Sequence, residues 1–257
     1  MLRFENKRVM ITGAASGIGK AITHSFAKEG ATMALADINL AGIQIAIKEL
    51  GKTKGQIFGY ELDVTKEAQV AQIVERAIVD MGGIDILVND AGVSTMQYSW
   101  KITEEEWDYV MDVNAKGTWL VSKHVIPHLI EKKQGKIVNV ASMGGLIGAP
   151  LLAHYCASKF AVVGITESIA KELAPYGINV NAVCPGYVVT PMQDREVVWE
   201  AQLRGITDPE TVRREYVKLT PMGKLAVPED IAGLVLFLAS EDASFITGTS
   251  VRVSGGQ

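Results

Sequence analysis

At 257 residues, with 48% hydrophobic and 21% charged side chains and 25 glycines, the chain has the composition of an ordinary globular α/β protein and the length to bury a sizeable core. A formal net charge of −4, with the basic residues scattered, leaves no electrostatic footprint for nucleic acid or an anionic membrane, and neither is expected as a partner. No apolar run approaches the roughly 18 to 20 residues of a membrane span, and the N-terminal residues pass straight into a strand pattern without a secretory leader, so a cytoplasmic location is expected.

Short β-branched runs alternate with amphipathic stretches. The first strand is expected over Arg8–Thr12 and leads into Gly13-Ala14-Ala15-Ser16-Gly17-Ile18-Gly19, a GxxxGxG turn that opens a helix over Gly17–Glu29. Such a turn lets backbone approach a phosphate, with helix N–H groups and dipole facing it, although three glycines can also serve tight strand–helix packing. The second strand, Thr32–Asp37, ends on a carboxylate placed to accept hydrogen bonds from a ribose. Asp37 would repel a 2′-phosphate, and no Arg or Lys occupies Ser16, Ile38 or Asn39, which favours NAD over NADP. Strands follow at Gln56–Leu62 and Ile84–Asn89, with a helix at Lys66–Met81 between them and a long helix at Glu104–Glu131 after them. That long helix carries Asn114 in its interior, where asparagine is a poor helix former.

The strand Lys136–Ala141 delivers Ser142 to its carboxyl end, where open α/β sheets bind ligands. Thirteen residues later, Tyr155 and Lys159 stand at i and i+4 near the start of a helix, Ala153–Ala174, with phenol and ammonium on one face. A fixed cation beside a phenol favours phenolate and general acid–base work, but a YxxxK pair alone arises by chance in many helices. Strands Asn179–Cys184 and Ser250–Val253 and the helix Pro228–Ser240 complete the pattern. It describes a doubly wound, Rossmann-type parallel sheet of about seven strands with helices on both faces, in one domain spanning 1–257. Residues 187–227 break the rhythm as a long insertion after a strand, of the kind used to cover a substrate.

In this order and at these intervals, the glycine turn, Asp37, Asn114, Ser142, Tyr155 and Lys159 resemble the short-chain dehydrogenase/reductase family in its compact form, over essentially the whole chain. The resemblance implies a catalytic tetrad of Asn114, Ser142, Tyr155 and Lys159. Tyr155 would exchange a proton with the substrate oxygen and Ser142 would hydrogen-bond it. Lys159 would lower the tyrosine pKa and hold the nicotinamide ribose, and Asn114 would keep a water in the proton relay. It also implies an NAD site made of Gly13, Ser16, Gly17, Ile18, Gly19, Asp37, Asp63, Val64, Asn89, Ala91, Gly92, Tyr155, Lys159, Pro185, Gly186, Val188 and Thr190. One departure stands out: the family's Asn-Asn-Ala-Gly is here Asn89-Asp90-Ala91-Gly92, so the Asp90 carboxyl must find donors or take up a proton.

Candidates for the substrate walls are Ser142, Gly144, Leu152, His154, Tyr187 and Trp199, with Met96. The stretch from Thr190 to Gly205 resembles family members that oxidise sugar alcohols and vicinal diols, which makes a polyol or diol the expected substrate. A 3-oxoacyl-thioester reductase and a catalytically silent dinucleotide sensor are the alternatives. No metal is expected: His124 and His128 have a ligand-like i, i+4 spacing, but no HExxH acid accompanies them and Pro127 lies between. Cys156 and Cys184 read as reduced, packed thiols. Small residues Ala157, Ala161 and Ala170 on more than one face of their helix, with the family's habit, point to a homotetramer.

Overall fold

The computed structural model describes residues 2–257. Seven strands form one sheet: β1 (Arg8–Thr12), β2 (Thr32–Asp37), β3 (Ile57–Glu61), β4 (Ile86–Asn89), β5 (Gly135–Val140), β6 (Ile178–Pro185) and β7 (Ser250–Val253). Their spatial order is β3-β2-β1-β4-β5-β6-β7, and every neighbouring pair is parallel. The helices are α1 (Gly17–Lys28), α2 (Leu40–Leu50), α3 (Glu67–Met81), α4 (Glu104–Met111), α5 (Gly117–Lys132), α6 (Ala153–Leu173), α7 (Pro191–Arg204), α8 (Glu210–Leu219) and α9 (Pro228–Ala239). The expected single α/β domain is the one found, with strand ends shifted by a residue or two.

The core divides at the sheet. Ile22 and Phe26 of α1, Ile43 of α2 and Ile231 and Val235 of α9 pack with Val9, Ile11 and Val88 on one face. Val70 and Val74 of α3, Leu120 and Val125 of α5 and Leu173 of α6 pack with Met10 and Leu87 on the other. Alternate residues of β1 and β4 thus enter opposite cores, which explains why these strands read as unbroken apolar runs. Helices α1 and α2 carry the chain from β1 to β3 on one face, α3, α5 and α6 carry it from β3 to β6 on the other, and α9, between β6 and β7, returns to the face of α1 and α2. The reversal falls between β1 and β4, and a crevice opens at their carboxyl ends.

One expectation is corrected. The single helix read over Glu104–Glu131 is interrupted by a π-helical turn at Asp112–Lys116, centred on Asn114. Its wider turn accommodates an asparagine that bonds away from the helix ladder. The insertion 187–227 is mostly helical, since α7 and α8 pair through Val197, Ala201, Val212 and Tyr216 in a small core of their own.

The lower end of the sheet is held by a charge cluster. Asp85, just ahead of β4, accepts the Arg8 backbone N–H at 2.9 Å and the Arg8 guanidinium at 2.7 and 2.8 Å, and also pairs with Lys132 at the end of α5. These donors hold its carboxyl well below the ordinary carboxylate range although burial opposes them. A depressed folded-state pKa contributes stability that is full above about pH 5 and fades as the pH falls through the folded value. Asp85→Asn is therefore expected to lower unfolding stability by about 2 kcal/mol at pH 7, with the gap from wild type closing toward pH 2, as read by urea titrations at both pH values.

Candidate active site

A cleft of about 950 Å³ runs along the carboxyl edge of the sheet, from Asp37 past the start of α1 to Tyr155 and under α7. At its near end, the Asp37 carboxylate is set by the Ala15 N–H (3.1 Å) and the Asn39 N–H (2.9 Å), which leaves its remaining lone pairs to the cleft. Ile38 and the Asp63-Val64-Thr65 turn face it, with Asp63 Oδ1 holding the Thr65 N–H and hydroxyl at 2.9 and 2.7 Å. Ser16 caps α1 in backbone conformation only, making no side-chain hydrogen bond, so the first N–H groups of the helix and the Ser16 hydroxyl are open to an anion. A carboxylate for a ribose, a bare helix N-terminus for a pyrophosphate and an ammonium at the far end form a donor and acceptor set that fits a dinucleotide.

The three glycines of the turn have different reasons. A Cβ on Gly13 would lie 2.7 Å from Ala91 N, and one on Gly19 would lie 2.2 Å from the Gly13 carbonyl and 2.6 Å from Asp90 Oδ2. Gly13 is glycine because the turn packs backbone to backbone on the segment after β4, and Gly19 because the turn folds back on the Gly13 carbonyl and the Asp90 carboxyl; Gly19 does not reach the cleft. Gly17 has room around it but sits at φ +53°. The packing explanation for the motif thus holds for Gly13 and Gly19. It is the close fit of these segments that brings Asp90, Ala91 and Gly92 to the cleft wall.

Asn114, fully buried, clamps that segment from behind. Its amide accepts the Val93 N–H (2.8 Å), donates to the Val93 carbonyl (2.9 Å) and donates to Ser158 Oγ on α6 (2.9 Å). Both amide hydrogens are committed to protein partners, so any part in a relay falls to its main-chain carbonyl, which already accepts the Thr118 hydroxyl at 2.8 Å. Ser142, Tyr155 and Lys159 come together on the cleft wall. Ser142 follows β5 and accepts the Gly144 N–H at 3.0 Å. Lys159 Nζ donates to the Val140 carbonyl at 2.9 Å and lies 5.8 Å from the centre of the Tyr155 ring. Burial pushes the phenol of Tyr155 up from its ordinary value, the charge of Glu196 adds to the rise, and the Ser142 hydroxyl opposes it. Burial and the Glu196 carboxylate, rather than the expected lowering by Lys159, govern the phenol here.

Asp90 is drawn in opposite directions. The Gly19 N–H faces its carboxyl and Lys159 attracts it, yet burial pushes it up and Lys159 down, each charge resisting the other's loss.

Three further residues stand elsewhere than expected. Asn89 points beneath the cleft, donating to Ser122 Oγ (3.0 Å) and Asn139 Oδ1 (2.9 Å), because strand alternation turns it into the core. His154 is fully buried behind the wall with Nε2 2.6 Å from Thr95 Oγ1, since its neighbour Tyr155 takes the cleft-facing position on α6. Trp199 is off the cleft: α7 presents Met192, Gln193, Glu196 and Glu200 instead, at helical spacing. Ser142, Gly144, Leu152, Tyr187 and Met96 do line it, as do Ser16, Gly17, Ile18, Val64, Pro185, Gly186, Val188 and Thr190. Glu196 was missed as an individual; the i, i+3, i+7 pattern of Gln193, Glu196 and Glu200 through α7 was the signal that could have found it.

Comparison with known proteins places the chain among dehydrogenases and reductases. A family model described as enoyl-(acyl carrier protein) reductase matches residues 13–257. A 3-oxoacyl-acyl-carrier-protein reductase from Thermotoga maritima is 40% identical over 255 residues, covering 99% of both chains. Among solved structures, a levodione reductase superposes with a TM-score of 0.95 at 33% identity over 99% of this chain and 98% of that one. A xylitol dehydrogenase with bound NAD+ gives a TM-score of 0.96 at 34% identity over 99% and 100%.

The glycine geometry predicts a split in stability. Gly19→Ala, which drives a Cβ into backbone, is expected to cost at least about 3 kcal/mol, whereas Gly17→Ala, whose Cβ makes only an ordinary contact with Thr190 at positive φ, costs about 1 kcal/mol. Calorimetry of the two ligand-free variants checks it.

Proposed function

This chain belongs to the short-chain dehydrogenase/reductase family, and on that premise we propose that it is an NAD-dependent dehydrogenase of a secondary alcohol, most specifically of a polyol or vicinal diol. The observation that carries the reading is the joint placement of Asp37 at one end of the cleft and Ser142, Tyr155 and Lys159 at the other. A nicotinamide dinucleotide bound between them would supply the acceptor for the hydride released as the alcohol carbon becomes a carbonyl.

The chain's own residues do the rest. Asp37 receives the adenosine ribose hydroxyls and disfavours a 2′-phosphate, while the start of α1, with Ser16, Gly17 and Ile18, receives the pyrophosphate. Lys159, braced on the Val140 carbonyl, holds the second ribose. Tyr155 takes the proton from the substrate hydroxyl in oxidation and returns it in reduction, and Ser142 hydrogen-bonds the same oxygen so that it stays in line with the phenol. Asn114 positions the Gly92-Val93 backbone and α6 relative to each other. The Pro185-Gly186 and Val188–Thr190 backbone closes over the carboxamide end of the dinucleotide.

Polyol chemistry is supported by the carboxylate and amide groups that α7 brings to the cleft and by the likeness to xylitol dehydrogenase. The 40% identity to a 3-oxoacyl-acyl-carrier-protein reductase favours a second reading, a 3-oxoacyl-thioester reductase, against which Asp37 weighs through cofactor choice. A cytoplasmic homotetramer completes the proposal: among the described residues no helix is long and apolar enough to cross a membrane, and α4, α5 and α6 expose Trp107, Trp119 and Phe160.

Assay of sugar alcohols, diols and 3-oxoacyl thioesters by nicotinamide absorbance is expected to give turnover of a polyol or diol with NAD. The kcat/KM for NADP should be lower by at least about tenfold, and Asp37→Ala should narrow that gap. Tyr155→Phe is expected to lower kcat by about a thousandfold or more while NADH still binds; full turnover by this variant would overturn the mechanism. Sedimentation velocity is expected to give a tetramer, and a stable monomer would refute that part.

A further inference from the structure

Glu196 stands apart from the other charged groups of the cleft. On α7 it faces the end where Tyr155 lies, and its charge is felt at the phenol. One oxygen, Oε1, accepts the hydroxyl of Ser94 from the segment after β4, which fixes the carboxylate in place. The other oxygen has no hydrogen-bond partner among the described residues, and no cation pairs with it there. Arg204 pairs with Glu200 and Glu215 at 2.7 Å each, and Arg213 with Asp194 at 2.9 Å and Glu210 at 3.1 Å, while Arg195, which also lines the cleft, stabilises the Glu196 charge from a distance without a salt bridge to it. One turn earlier on the same helix, Gln193 is buried and lines the same cleft, with Oε1 held by Arg213 at 3.0 Å and Nε2 without a partner. Met96, Leu152 and Met192 supply the neighbouring apolar wall.

Glu196 is partly buried, with one oxygen fixed by Ser94 and the other reaching the cleft, so a ligand that displaces water there must supply a donor or leave a carboxylate that is costly to desolvate. We propose that Glu196 is a specificity-determining residue whose free oxygen accepts a second hydroxyl of the substrate, distinct from the one that reacts at Tyr155. The proposal rests on the polyol or diol reading and sharpens it. A substrate with an additional O–H donor satisfies the carboxylate. A monohydric alcohol leaves it bare, and a 3-hydroxy carboxylate brings a like charge against it, so the same group selects for the first and against the other two.

The test measures kcat/KM in wild type, Glu196→Ala and Glu196→Gln on three matched substrates with NAD: a vicinal diol or polyol, the corresponding monohydric secondary alcohol, and a 3-hydroxy acid. NADH affinity, by fluorescence, reports on the fold. Glu196→Ala is expected to lose roughly ten- to a hundredfold on the diol, mainly through KM, while staying within about threefold on the monohydric alcohol. Glu196→Gln, which keeps a polar partner for the hydroxyl but no charge, should recover part of the diol activity and exceed wild type on the 3-hydroxy acid. Parallel losses on diol and monohydric alcohol, or no loss on either, would overturn the assignment to Glu196 while leaving the diol reading intact. A wild type that turns over no polyol or diol would overturn that reading itself, and the second-hydroxyl role with it.

Discussion

Between β1 and β4 two neighbouring parallel strands send their chains away in opposite directions, one toward α1 and β2, the other toward α5 and β5. Nothing covers the sheet directly at that point, so a crevice forms there of geometric necessity. Its walls are not loose loops. The Gly13–Gly19 turn and the Asp90–Gly92 segment touch so closely at Gly13 that a single methyl there would part their backbones, and one at Gly19 would collide with the Gly13 carbonyl and the Asp90 carboxyl. The Thr12 hydroxyl accepts the Asp90 and Ala91 N–H groups at 3.2 Å each, tying the ends of the two strands together. A site for a large, flexible ligand is thereby built on a rigid seam, which lowers the ordering cost of binding.

From that seam, order passes to the chemistry by hydrogen bonds that cross elements. Asn114 grips Val93 on one side and Ser158 on the other, so α6, which carries Tyr155 and Lys159, is registered against the segment that lines the cleft. The π-helical turn is what allows it, because a regular helix would have directed that side chain elsewhere. The electrostatics are correspondingly tense. Asp90, Lys159, Tyr155 and Glu196 share a region where burial disfavours every charged form; Asp90 and Lys159 sustain each other's charge, while Glu196 and Asp90 further disfavour the Tyr155 phenolate. Groups so placed are poised to exchange protons when a ligand alters their surroundings.

Much of this was legible in the residue order. Alternating apolar runs and amphipathic stretches specify strands and helices because each must bury a face, and the right-handed crossover rule then leaves few ways to arrange seven parallel strands. Ser142, Tyr155, Lys159 and Asp37 were legible because their positions follow directly from strand ends and helix spacing. Asn89, His154 and Trp199 were less so. Each lies within one to four residues of a cleft-lining position, and side-chain direction changes completely over one residue of a strand or two of a helix.

Local chemistry thus settled the fold class, the family and the placement of Ser142, Tyr155 and Lys159, because these depend on short-range periodicity and spacing. Tertiary packing alone decided the rest. It made two of the three turn glycines a matter of backbone contact, turned Asn114 into a clamp, and matched Ser94 to Glu196, 102 residues apart. It also left one carboxylate oxygen facing the cleft without a partner. Pairings of that kind depend on which distant groups are brought within hydrogen-bond reach and which are shut off from water, and neither can be read along a single chain.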